Sequence, residues 1–97
     1  MDRNTIRARA DRYSAIFSRL GVEPVACDQN LTVPNVKQIS SHMMWMCKQI
    51  PRLMVENKES QACEWLRFVE GVLWATGVLS FAEMTNDGIT PSILRYS

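Results

Sequence analysis

The side chains that could do chemistry are few. There is one histidine, His42, in the run His42-Met43-Met44-Trp45-Met46-Cys47, and there are three cysteines, Cys27, Cys47 and Cys63. Nucleophilic catalysis needs a base touching a Ser or Cys and a third group that orients the base. The chain has no Ser-His-Asp order, no His-Glu-x-x-His, no glycine-rich phosphate loop and no nucleophile elbow. Zinc needs further ligands at workable spacing, and Cys47, five residues after His42, turns only poorly toward the same helix face. The cysteines form no Cys-x-x-Cys pair, and their odd number leaves no complete disulfide framework. They read as small buried hydrophobes of a protein in a reducing cytoplasm. The expectation is no enzyme, no catalytic residue, no metal and no cofactor, with His42 a packed or surface histidine.

The charged residues come next. Glu64, Arg67 and Glu70 are spaced by three and form one polar row, with Glu59 upstream. Such a row reads as a solvated face whose ion pairs contribute about 0.2–0.5 kcal/mol each. The functional alternative is a polar rim beside Trp65 and Trp74 that holds a partner. Five arginines, Arg3, Arg7, Arg9, Arg12 and Arg19, give residues 1–22 a net charge of +3, while residues 58–97 sum to −2. A basic start can meet phosphates, which position a nucleic acid without specifying it. It can equally dock on the acidic end of its own chain. The pI of 7.7 favours docking, Asp2 and Asp11 dilute the patch, and no helix-turn-helix spacing follows. Arg7, Arg12 and Tyr13 are the candidate contacts for an anionic ligand.

Helices must position these groups. Ile6, Ala10, Tyr13, Phe17 and Leu20 fall on one helical stripe, which predicts a helix over about 5–20, capped by Asn4 or Thr5 and stopped at Gly21. Pro24, Asp28-Gln29-Asn30 and Pro34 break the period, and Val22, Val25 and Leu31 are expected to pin this connection to the core. Val36, Ile39, Met43, Met46, Ile50 and Leu53 predict a second helix over about 35–56, with Asn35 and Gln38 as a capping box and a kink at Pro51. Ala62, Trp65, Val69, Val72 and Thr76 predict a third over about 60–76, capped by Ser60, with Leu66 and Leu73 as a second row. Ser80 and Glu83 open a short helix to about 85 that ends at Asn86-Asp87-Gly88, and 89–97 read as a tail. The result is one all-α domain over 1–97: an antiparallel helical hairpin with an N-terminal helix and a short C-terminal one. The charged start lacks the apolar run of a signal peptide. The stretch Gly71 to Ala82 is too short to span a bilayer, so no membrane association is expected.

A chain of 97 residues that is 46% hydrophobic holds one core and little more. The second and third helices nevertheless look apolar on more than one face, and a helix apolar all round is buried all round. That predicts a homo-oligomeric helical bundle whose subunit or partner interface holds Met43, Met44, Trp45, Trp65, Phe68, Gly71 and Trp74. Gly71 is expected where another helix backbone approaches closely, so Gly71→Leu should disrupt folding or assembly.

The run from Ala62 to Gly77, Ala-Cys-Glu-Trp-Leu-Arg-Phe-Val-Glu-Gly-Val-Leu-Trp-Ala-Thr-Gly, resembles a segment of small proteins of tailed bacteriophages. In those, a similar Trp-Leu-Gly-Phe-(Val/Ile)-Gln-Gly-Val-Leu-Trp-Ala run leads into a short helix, matched here by Phe81-Ala82-Glu83-Met84. Their upstream His-Leu-Leu-Trp-Met-Cys is similar to the run from His42 to Cys47. The resemblance covers about residues 36–87 and departs at Arg67, where the family has Gly, and at Glu70, where it has Gln. It implies a non-enzymatic phage accessory protein that binds and modulates a host or phage macromolecule, as an anti-defence or host-takeover factor does. Two alternatives stand beside it: an oligomeric sponge holding a small nucleotide-like ligand between subunits, and a DNA-binding regulator.

Overall fold

A computed structural model describes residues 1–27, 30 and 34–85. The expected roles of Leu31, of Asn86-Asp87-Gly88 and of a tail over 89–97 lie outside the described residues. Helix α1 is Arg3–Arg19, α2 is Val36–Val55, α3 is Glu59–Ala75 and α4 is Phe81–Thr85. No strand occurs among the described residues.

The first helix starts earlier than its apolar stripe suggests, because Asp2 caps it. The Asp2 backbone is extended and its carboxylate accepts the Thr5 N–H at 2.7 Å. That places Asn4 and Thr5 inside the helix. The same N–H holds the Asp2 carboxyl below the ordinary carboxylate range. At the other end Gly21 takes φ +77°, its N–H reaches Ser18 O at 3.0 Å, and the Val22 N–H reaches Phe17 O at 3.0 Å. This is a Schellman ending, in which a left-handed residue lets two amides satisfy the last carbonyls. It turns the chain before Leu20 can join the stripe, and Leu20 stays 46% exposed.

The second helix opens on the expected capping box, with Asn35 and Gln38 exchanging bonds of 2.8 and 2.9 Å. It runs through Pro51, which lies on the exposed side of the helix, where water can stand in for the missing amide donor. Asn57 adopts φ +59° and closes a second Schellman ending, with the Lys58 N–H on Leu53 O at 2.8 Å. The reversal passes directly into α3, so Ser60 is already helical. Lys58 is the N-cap, and its side chain makes no capping bond. Val78 N–H on Leu73 O, 2.9 Å, and Gly77 at φ +75° end α3 in the same way. The Ser80–Glu83 capping box then starts α4, with bonds of 2.8 and 3.1 Å.

Contacts fix the directions. Arg3 meets Glu59 and also donates to Met54 O at 3.0 Å, while Arg9 and Tyr13 meet Glu70. Helix α1 therefore runs alongside α3 and antiparallel to α2, an up-down-up bundle. Helix α2 packs along both of the others. Leu79 and Met84 close one end of the core.

The α2 position corrects an expectation. Met43, Met44, Met46 and Cys47 are all buried, and Trp45 is half-buried. A middle helix pressed on two sides hides the run from Met43 to Cys47, and the large hydrophobic side chains that α2 exposes are Val36 and Val55 at its two ends. Met43 and Met44 are core, not surface. In α3 the buried row is Ala62, Leu66, Val69 and Leu73. Trp65 and Val72 lie at its edge, half-buried, and Thr76 is exposed with its hydroxyl on Val72 O at 2.8 Å. In the linker, Val22 packs on the core but Val25 is 56% exposed. Its N–H is tied to Ser41 O at 3.2 Å, so backbone bonding holds this segment.

Candidate binding surface

Two features of the bundle bear on function: a buried polar clamp between α1 and α3, and an apolar outer face on α3. The clamp centres on Glu70, which is 7% exposed. The Tyr13 hydroxyl donates to its Oε2 at 2.7 Å, Arg9 reaches the same oxygen at 3.4 Å, and Arg67 reaches Oε1 at 3.5 Å. Glu70 therefore does not sit on a solvated face with Glu64. It faces α1, one position round from Val69. Burial, reinforced by the neighbouring carboxylate, raises the Tyr13 hydroxyl pKa far above its usual value. The phenol stays a donor.

This clamp limits what the first helix can offer a ligand. Tyr13 is fully buried with its hydroxyl committed, Arg7 is exposed and Arg12 is half-buried. The three are not presented on one surface. Arg3 and Arg9 engage Glu59 and Glu70 of α3, so the basic start docks on acidic groups of its own chain.

His42 is a packed histidine. Its Nδ1 accepts the Cys27 N–H at 3.0 Å, and its ring stacks on Trp45 with centroids 5.6 Å apart. Nδ1 as acceptor places the ring proton on Nε2. Cys27 Sγ lies 3.3 Å from Gln38 O, so this thiol too ties the linker to α2. Burial pushes the Cys47 thiol up to about 12, which makes it inert at neutral pH. Among the described residues no group of His, Cys, Asp and Glu could hold a metal ion.

The outer face of α3 is different. Phe68 is 56% exposed and Trp74 60% exposed. Gly71 lies between them, also exposed, and a Cβ built there meets nothing within 4 Å. Among the described residues no helix approaches Gly71, so the expected close approach does not occur there. Trp65 and Trp45 border the face, tilted at 35° with centroids 5.9 Å apart. A recess of 320 Å³ between Ile39, His42, Met43, Phe68 and Val72 adjoins it. Of the predicted interface residues, the structure places Phe68 and Gly71 on the outer side of α3, with Trp74 and Trp65 on opposite flanks and Trp45 beside Trp65.

Sequence reasoning missed Glu70 as a structural acceptor. A signal was present: Tyr13 occupies the middle of the α1 stripe, and a buried phenol needs an acceptor. No family model matches the chain, and no curated protein or solved structure matches it. No helix among the described residues is long and apolar enough to cross a membrane.

Proposed function

We propose that the protein is a non-enzymatic accessory protein of a tailed bacteriophage. In this reading it is a cytoplasmic homo-oligomer, a helical bundle larger than the single chain. It binds and modulates a macromolecule of the host or the phage, as an anti-defence or takeover factor does. The observation that carries the reading is the outer face of α3, where Phe68 and Trp74 stand more than half exposed beside a core that is already closed. Two large aromatics on one exposed helix face are a liability unless something covers them, and Trp and Phe are enriched at protein interfaces. The phage setting comes from the resemblance of residues 36–87.

The test is affinity capture from infected cells with the tagged chain, read by mass spectrometry, comparing wild type with Phe68→Glu/Trp74→Glu. The expected result is a stoichiometric host or phage protein held by wild type and lost by the variant. Recovery of the chain's own copies alone would overturn the modulator reading.

A further inference from the structure

The outer face of α3 has a pattern that fits its own copy. Along its middle, at alternating steps of three and four residues, stand Glu64, Phe68, Gly71 and Ala75. The stripe is bulky at Phe68 and bare at Gly71, where a Cβ would meet nothing within 4 Å. Arg67 and Trp74 flank it on one side, Trp65 and Val72 on the other.

Two such helices can be set face to face and antiparallel, with the two-fold axis passing between Val69 and Glu70. Phe68 of each chain then lies over the partner's Gly71. In an antiparallel pair each flank meets the same flank of the other helix. Arg67 therefore approaches the partner's Trp74, a cation over an indole face, and Trp65 approaches the partner's Val72. A parallel pair would instead set Phe68 on the partner's Phe68 and leave a void at paired glycines. The charges on the face, Glu64 and Arg67, cancel, so like charge does not hold two copies apart.

The exposed aromatics supply a little under half of the area that a specific interface needs. Phe and Trp side chains carry about 150–250 Å² each, and with 56% and 60% exposed the pair leaves roughly 200–250 Å² open per chain. Two copies thus bring together roughly 450 Å² of aromatic surface, against a requirement of about 1,000 Å² in all for a specific interface. Half-exposed Trp65 and Val72, with Ala75 and the stems of Gln61, Glu64 and Arg67, are placed to supply the remainder. We infer that α3 is the two-fold interface of a homodimer, paired antiparallel, with Phe68 seated on the partner's Gly71. This rests on the reading of the α3 outer face as a binding surface.

Sedimentation of the full chain across micromolar concentrations tests it. Wild type is expected to reach twice the chain mass of 11.1 kDa. Gly71→Phe fills the seat while pointing into open space in its own chain. It should keep its helical circular dichroism and weaken the dimer by about tenfold or more, the equivalent of about 1.4 kcal/mol. Phe68→Gly should weaken it similarly. The double variant Phe68→Gly/Gly71→Phe exchanges knob and seat and should recover the dimer, a rescue that a merely structural role for either residue does not produce. A wild-type monomer at every concentration would overturn the dimer, and with it the homo-oligomer of the proposed function, while leaving the capture of a host or phage protein by a single chain standing. A dimer indifferent to both single variants, or a double variant no better than either, would overturn the pairing geometry.

Discussion

Glu70→Ala should be as damaging as truncating a buried core residue of α3, although the residue's place in a polar row suggests a harmless surface position. The substitution removes the acceptor of the buried Tyr13 hydroxyl at 2.7 Å and the carboxylate facing Arg9, whose side chain is only 14% exposed. An unsatisfied buried hydroxyl costs about 1–3 kcal/mol, and breaking a buried ion pair by deleting one partner costs about 3–5 kcal/mol in all. The Arg67 contact, at 3.5 Å from a side chain that is 61% exposed, adds nothing appreciable. The loss therefore lies near 3–5 kcal/mol, in a domain whose whole stability is about 5–15 kcal/mol. In urea, with a slope of about 1–3 kcal/mol per molar, the midpoint should fall by roughly 1 M or more. Tyr13→Phe removes the donor but leaves Arg9 on the carboxylate, so its cost should be smaller, about 1.5–3 kcal/mol for a bond to a charged acceptor. Tyr13→Phe/Glu70→Leu should cost clearly less than the sum of the single changes, because both polar partners leave together. The assay is urea unfolding followed by circular dichroism and tryptophan fluorescence at one fixed concentration. A Glu70→Ala variant within about 0.5 kcal/mol of wild type, as at an ordinary surface position, would refute the reading of Glu70 as the clamp between α1 and α3.

The remaining predictions concern titration, reactivity and one turn. The Cys47 and Tyr13 pKa values are both raised in the fold, so the folded chain keeps protons that the unfolded chain gives up. Their contribution to stability is then complete below pH 9.0, the unfolded thiol value, and declines above it, more steeply past 10.0, where the unfolded phenol also ionises. Urea midpoints against pH should show this fall, and Tyr13→Phe should remove its second part. With a neutral-pH thiol reagent, half-exposed Cys27 and Cys63 should label in the native protein and buried Cys47 only with unfolding; equal rates at all three would contradict the packing. Asn57→Gly should raise the melting temperature by a degree or more and Asn57→Val should lower it by several, since φ +59° is strained for a branched residue and free for glycine; no difference between them would argue against the left-handed turn.

What the sequence made legible was what depends on one helix at a time. The stripe through Ile6, Ala10, Tyr13 and Phe17 is buried as its spacing implies, and both capping boxes are local patterns that need no tertiary partner. The sequence was misleading wherever the answer depends on a neighbour. In α3 the spacing fits the row through Trp65 and Val72 as well as the row through Leu66 and Leu73. Only the placement of α1 and α2 decides that the second faces inward. The run from Met43 to Cys47 looks like surplus apolar surface until α2 is seen to be pressed from two sides. Phe68 and Trp74 are exposed for the complementary reason, that neither α1 nor α2 packs on the outer side of α3. The stripe shows that buried Tyr13 needs an acceptor, but not that Glu70 is the one, because Tyr13 and Arg9 lie 57 and 61 positions away along the chain.

The three Schellman endings have a consequence for how the chain acquires its shape. Each is closed by amides and carbonyls no more than five residues apart, as in Lys58 to Leu53. A stop of that kind operates as soon as its own last turn is helical, before any second helix is present. The reversal at Asn57 can therefore bring α2 and α3 together early, since a short loop closes with little loss of chain entropy. Helix α1 and the Glu70 clamp are then expected to join later, across a much longer separation. The order is readable in kinetics: Asn57→Val should slow refolding, whereas Tyr13→Phe should chiefly hasten unfolding.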